Sequence, residues 1–322
     1  MRTGLATTAG GDLREGGRWT AAQRLKNDVI WLFARVTLAV AERLPLSSLR
    51  AVGRSLGLSA HALLPAARGV ALANVERVFP GLDARGRSAF VRRCFSTLGE
   101  LLGESVALLS ARSPPPIPVS DEARALFAAA RAEGRGVVFA SAHLGPWERV
   151  AASLVAADVP LVTIARESYD PRFSRLYERL RSRHGVQVLW RARPGTAAGI
   201  VRTLRAGGVL GVPMDLRSRV PCVEAPFLGH DAPTPVGPAR VALRTGAAVI
   251  VGTVTPAGDR AEDGLVITAT RIPTEGLGWG PDGVWELTRR MNAELSRRIL
   301  AMPHGWVWMH ERWRGETSVC SS

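Results

Sequence analysis

The chain has almost no lysine: of its 42 basic residues, all but Lys26 are arginine. With 33 glycines and abundant alanine, this bias is what a GC-rich genome produces. The formal net charge of +14 therefore does not by itself point to nucleic acid. No aromatic–basic interleaving or nucleic-acid motif accompanies it, and an anionic membrane face or a phosphorylated ligand suits the charge equally well. Cysteine is scarce too. Cys94, Cys222 and Cys320 are scattered and odd in number, with no metal-ligand or disulfide spacing, so a reduced, cytosol-facing chain with no metal and no cofactor is expected. No apolar run reaches the roughly 20 residues that cross a bilayer, and the first 20 residues lack the apolar core of a secretory signal. There is no internal repeat. Ser141 lies close to His143, but no Gly-x-Ser-x-Gly elbow frames it, which argues against a serine hydrolase.

What is present falls into two parts. Residues 1–20, rich in Gly and Thr, read as disordered. Residues 21–112 read as a helical, membrane-associated region: an apolar helix around Val29 to Ala41, a basic amphipathic one from Leu46 to Leu64, a third stopped by Pro80-Gly81, and a long one from Ala84 to about Ser110. An ordinary bundle with a solvated face fits the second of these as well. Residues 113–119 hold Pro114, Pro115, Pro116 and Pro118, which cannot be helical and mark a linker. Over residues 120–314 apolar runs alternate with amphipathic segments. Strands are expected at 137–142, 161–165, 186–190, 209–213, 249–254 and 265–269. Helices are expected at 147–156, 171–183, 197–206, 237–245 and 283–302. Such alternation predicts an α/β fold with a largely parallel mixed sheet flanked by helices.

The chemistry concentrates in Ser141-Ala142-His143-Leu144-Gly145-Pro146-Trp147-Glu148, where a strand passes into a helix whose first turn accepts Pro146. A neutral imidazole there takes a proton from a hydroxyl if a carboxylate orients its other nitrogen. Alone, the His-x-x-x-x-Glu spacing also fits a satisfied histidine beside a helix-entry charge. Residues 166–205 carry ten arginines against Glu167, Asp170 and Glu178. Arginine forks grip phosphate bidentately, although a solvated helix face accounts for most of them. Arg166 stands apart because it follows a strand, on the edge where open α/β sheets bind ligands. Asp215 ends another strand, as a site acid or a plain turn residue.

Six blocks in order resemble the bacterial lipid A biosynthesis acyltransferases, the lauroyl/myristoyl branch of the lysophospholipid acyltransferase superfamily. They are the Asn74-to-Phe79-Pro80 segment, the His143-x-Gly145-x-Trp147-Glu148 block, the Arg166-to-Pro171 segment, Arg181-Ser182-Arg183-His184-Gly185-Val186, the Asp215 turn with Phe227-Leu228-Gly229, and the closing Trp306-to-Trp313 motif. Asp170 stands where the family has Asn, and Leu216 where it has Gln. The Asn74 segment by itself carries no chemistry, and the closing aromatics read as packing. The resemblance implies a glycerolipid acyltransferase-like fold with His143 as general base and Glu148 as its carboxylate partner. Backbone N–H groups near Gly145 are expected to receive the oxyanion. Substrate contacts are expected from Arg166, Arg181, Gly145, Trp147, Asp215 and Glu224. The implied reaction moves a fatty acyl group from acyl carrier protein or acyl-CoA to a lipid A precursor, at the cytoplasmic face of the bacterial inner membrane. Another lysophospholipid or a phosphatidylinositol mannoside is the alternative acceptor. A non-catalytic basic membrane-binding protein, and a thioesterase with water as acceptor, are the readings from other classes.

Overall fold

Strand β1 (Val137–Ser141), apolar and buried from Val137 to Ala140, sits near the middle of a six-stranded sheet, where both faces are covered. The structure is a computed structural model that describes residues 18–109, 113–191, 193–217, 220–258 and 264–313. Of the residues 1–20 expected to be disordered, 1–17 lie outside those ranges, as do Ser110 and Cys320, whereas Thr20 caps a helix. The other strands of the sheet are β2 (Leu161–Ala165), β3 (Gln187–Trp190), β4 (Val209–Pro213), β7 (Ala248–Pro256) and β8 (Leu265–Ile272). Their order is β3-β2-β4-β1-β7-β8; all pairings are parallel except that of β8 with β7. The fold is thus α/β with a mostly parallel mixed sheet. A separate antiparallel hairpin, β5 (Cys222–Phe227) with β6 (His230–Pro235), occupies a segment expected to be a turn and loop. Its three prolines hid the strand pattern, and pairing on a single side tolerates them.

Helices cover both faces. Helix α5 (Asp121–Ala132), capped by Ser120 with Asp121 and Glu122 in its first turn, and α6 (Trp147–Ala156) pack on one face through Phe127, Val150 and Leu154. Helices α9 (Gly237–Thr245) and α10 (Pro281–Ala301) cover the other face, where Leu287, Met291, Leu295 and Ile299 are fully buried. Helices α7 (Pro171–Arg183) and α8 (Thr196–Arg205) link the strands at the β3 side. These helices lie within a residue or two of expectation; α6 starts at Trp147 as expected, but Pro146 takes the capping position rather than the first turn.

The amino-terminal half is helical: α1 (Ala21–Ala41), α2 (Leu46–Leu63), α3 (Pro65–Val78) and α4 (Ala84–Ala107). Thr20 closes a capping box with Gln23, so α1 starts earlier than its apolar run suggests. Helices α2 and α4 touch backbone to backbone. A Cβ placed on Gly53 or Gly99 would lie 2.1 Å from the other's carbonyl oxygen, and Gly57 and Gly103 are packed as tightly. Two Gly-x-x-x-Gly stripes, on α2 and on α4, thus face one another. Ala71, Val75, Val91, Cys94 and Phe95 of α3 and α4 join the same core as Val138 and Ala140 of β1. The Cys94 thiol is buried and free, pushed up to about 12 by burial, and so is inert; Cys222, by contrast, is engaged.

Candidate active site

Parallel pairing of β1 with β4 brings Ser141 level with Pro213, and the Met214 amide continues the ladder to the Ser141 carbonyl at 3.1 Å. Two residues on, His143 and Asp215 therefore stand side by side. The His143 Nδ1 lies 2.9 Å from Asp215 Oδ1. The Asp215 Oδ2 accepts from the His143 backbone N–H at 2.9 Å and from the Trp306 indole N–H at 2.8 Å. Asp215 has no exposed surface, so its charge survives only because these donors replace water. Burial alone would raise its pKa. The His143 charge and hydrogen bonds, together with the Trp306 N–H, overcome that and hold it below the usual carboxylate range. For His143 the balance is inverted. Burial pushes the imidazole down, but the charge and hydrogen bond of Asp215, and the charge of Glu148, lift it above its ordinary value. The proton on Nδ1 is thereby held toward Asp215, and Nε2 is left as the basic nitrogen.

This arrangement corrects the expected pairing. Glu148 does not orient the imidazole; Asp215 does. The Glu148 carboxylate is instead held bidentately by Arg181, Nε to Oε2 at 3.0 Å and NH2 to Oε1 at 2.8 Å. Arg181 also donates to Thr163 Oγ1 at 3.2 Å and lies over the Tyr177 ring at 5.5 Å. Burial works against this guanidinium, yet Glu148 lifts its pKa; burial and the Glu148 charge raise the Tyr177 phenol. The two carboxylates thus have separate partners, Asp215 holding the imidazole and Glu148 holding an arginine beside it.

His143, Trp147, Glu148, Arg166 and Arg181 line one pocket of about 1090 Å³. It opens over the carboxyl ends of β1 to β4, the edge at which parallel sheets bind ligands. Trp147 sets its ring edge against the imidazole, 5.3 Å between centroids. Apolar wall comes from Ile164, Trp190, Val212, Leu216 and Val220, and Arg166, Arg191 and Arg217 supply cationic wall. Burial, and then Arg166, lower the pKa of Arg191, so the two guanidinium groups feel each other. An apolar wall flanked by cations, with a polarised imidazole in the lining, suits an amphiphile carrying an anionic group.

The model of the bacterial lipid A biosynthesis acyltransferase family matches residues 18–315. The chain belongs to that family. Among its relatives are the phosphatidylinositol mannoside acyltransferases of Mycobacterium tuberculosis strains CDC 1551 / Oshkosh and ATCC 25618 / H37Rv. Each is 27% identical over 207 residues, which cover 59% of this chain and 58% of the relative. The chain thus spans less than two thirds of the length of those relatives.

In this acyltransferase-family member two further expectations change. The Gly145 amide, at φ +63°, donates to the Gly305 carbonyl at 3.0 Å, and the Trp147 amide donates back to the Gly145 carbonyl at 2.9 Å. Neither amide is left for an oxyanion. Glycine serves close packing here, since a Cβ at Gly145 would meet Val254 Cγ2 at 2.5 Å. Glu224 lies on β5, exposed and outside the pocket wall; its carbonyl accepts from the Trp285 indole at 2.9 Å. Asp215, expected to touch substrate, is sealed behind His143 instead. Among the described residues no group of three or more His, Cys, Asp or Glu is arranged to hold a metal ion.

The closing motif does more than pack. After α10 and a 3-10 turn (Pro303–Gly305), Trp306 bridges to Leu144, and its indole reaches Asp215. His310 lines the pocket, and its Nε2 accepts the Arg217 amide at 2.9 Å. Burial lowers the His310 pKa, which suits a neutral acceptor. The density of Trp and His in Trp306-Val307-Trp308-Met309-His310 was the available signal. Its meaning depended on which loops the segment returns to.

Proposed function

We propose that the protein transfers a fatty acyl group from a thioester, on acyl carrier protein or coenzyme A, to a hydroxyl of a phosphorylated glycolipid of the lipid A precursor type. The observation that carries this is the His143 imidazole, backed by the buried Asp215, in the lining of a pocket with apolar and cationic walls. His143 Nε2 removes the acceptor hydroxyl proton while Asp215 steadies the imidazolium. The alkoxide attacks the thioester carbonyl, and the tetrahedral adduct expels the thiolate. The thiolate then takes the proton from Nε2, which restores the neutral base. In this scheme no acyl group becomes attached to the protein. Arg166, Arg191 and Arg217 hold the phosphate, and Arg181, fixed by Glu148, shapes the wall beside the base. Trp147 and the apolar wall hold the chain.

Helix α1 supports a membrane surface as the source of substrate. Its protein-facing side presents Gln23, Asn27, Trp31 and Leu38, whereas Leu25, Val29, Leu32, Phe33, Val36 and Val40 point outward, Phe33 at 72% exposure. A helix more apolar outside than inside asks for a non-aqueous neighbour. Arg172 of α7 pairs with Asp28 at 2.6 Å and lies over Trp31, which sets α1 beside the 166–170 loop at the pocket mouth. Among the described residues no single helix is long and apolar enough to cross a membrane; α2 and α3, bent by 91°, pass that test as a pair. We place the protein on the cytoplasmic face of the bacterial inner membrane.

A phosphatidylinositol mannoside acceptor is the second reading, favoured by the names of the two mycobacterial relatives. Purified protein incubated with labelled acyl-carrier-protein and acyl-CoA donors and a panel of lipid acceptors tests both. Labelled lipid product supports transfer. Thioester loss without product lipid identifies a thioesterase, and vesicle binding without turnover a non-catalytic protein.

A further inference from the structure

We propose that Asn74, on α3 and outside the pocket, is a positioning residue for the proton-transfer pair, acting through the strap of residues 306–310. The proposal rests on the reading of His143 as the base. Asn74 is buried, and its amide nitrogen donates both hydrogens, to the Trp308 carbonyl and to the His310 carbonyl, each at 2.8 Å. A primary amide is the compact neutral group that offers two N–H bonds from one atom. The two carbonyls lie on the strap that fixes Asp215 from both sides. Trp306 donates to the Asp215 carboxylate, and His310 receives the amide of Arg217, two residues further along the same loop. The strap is also pinned beneath the histidine loop, through the Leu144–Trp306 bridge and the bond from the Gly145 amide to the Gly305 carbonyl.

Phe79 and Phe90 pack against Trp308, and Asn74 adds the hydrogen bonds by which the helical half grips the backbone of the segment that aims the carboxylate. Without its two bonds, the buried Trp308 carbonyl loses its partner and the His310 carbonyl keeps only the Arg312 amide, at 2.8 Å, so the strap can relax toward other donors. Asp215 then has a looser hold on Nδ1. The groups facing His143 are Asp215 from the loop after β4, Glu148 from α6, Arg181 from α7 and His310 from the strap. Tyr177, Arg217 and Glu311 complete the wall around them. Asp215 is the one of these that the strap holds directly by side chain, so loosening the strap lowers the basicity of His143.

The test compares the full-length protein with Asn74→Leu, Asn74→Ser and, as a control, Val75→Ala, a fully buried neighbour on α3 that makes no contact of this kind. The His143 titration is read by NMR of histidine-labelled protein, assigned by its loss in His143→Gln, and the kcat–pH profile is read wherever transfer is measurable. Asn74→Leu is expected to move the His143 titration to lower pH, toward that of Asp215→Asn, and to lower kcat about tenfold with little change in KM. Asn74→Ser, which keeps one donor, should fall between. Val75→Ala should lower Tm and leave the titration in place. A wild-type His143 titration in Asn74→Leu, or in Asn74→Ser should Asn74→Leu fail to fold, overturns the proposal; so does an equal shift in Val75→Ala. The NMR reading needs no substrate. A shifted titration in a protein that transfers no acyl group therefore upholds the positioning and sinks the acyl-transfer reading instead.

Discussion

A single imidazole carries the proposed chemistry, and its state sets the pH dependence. His143 has a raised pKa, so the neutral base accumulates only as pH climbs through a value above the ordinary 6.5. Transfer measured as kcat/KM should rise with pH through that point. Asp215→Asn should move this limb to lower pH and reduce kcat by roughly 10³–10⁴, as loss of an orienting carboxylate does in hydrolytic triads. An unchanged limb in that variant would mean that Asp215 does not act on His143. His143→Ala should remove turnover while preserving the circular-dichroism spectrum. Glu148 and Arg181 answer to a different rule. Removing one member of a buried, bidentate ion pair strands the other, so Glu148→Ala or Arg181→Ala should cost about 3–5 kcal/mol in denaturant unfolding. Arg181→Lys should recover little of it, because an ammonium cannot grip both oxygens.

At the scale of elements, the α2–α4 contact is made of glycine. Gly99→Leu drives a side chain into the Gly53 carbonyl, so this variant should lose at least about 1–3 kcal/mol, read as a drop in chemical-denaturation midpoint, or unfold the helical half. Ala at Gly134, where an added Cβ meets nothing within 4 Å, is strained by its φ of +75° alone and should cost less. Helix α1 makes the opposite kind of prediction. Phe33→Glu touches an outward-facing position and should leave Tm within about 0.5 kcal/mol equivalent. The same change should weaken co-sedimentation with anionic phospholipid vesicles, since it puts a carboxylate where the bilayer is proposed to lie. Undiminished binding by Phe33→Glu would remove α1 from the membrane surface.

For the molecule as a whole, the His143–Asp215 pair links stability to pH from two sides. The raised histidine contributes its full share below its unfolded value of 6.5 and loses it as pH rises through the folded value. The lowered aspartate contributes its full share above 3.8 and loses it as pH falls through its folded value. Both shares are complete between 3.8 and 6.5. The Tm difference between wild type and Asp215→Asn should therefore be widest in that window and shrink on either side. A flat difference from pH 3 to pH 9 would show that the pair is not coupled in the folded state.

Local pattern was enough to place every strand of the main sheet and the boundaries of the helices between them, though not the starts of α1 and α3, because apolar period, Pro-Gly breaks and cap residues act over a few neighbours. It was also enough to single out His143, since a histidine leaving a buried strand toward a helix entry is a local arrangement. The imidazole's partner was another matter. Glu148 is five residues from His143 and Asp215 is seventy-two, and the nearer carboxylate was the natural choice until β4 took its place beside β1. Strand order, the return of Trp306 beneath the site, and the grip of Asn74 on carbonyls more than 230 residues away are long-range pairings. They are settled by which surfaces bury one another once the chain collapses, and no window of neighbouring residues contains that information.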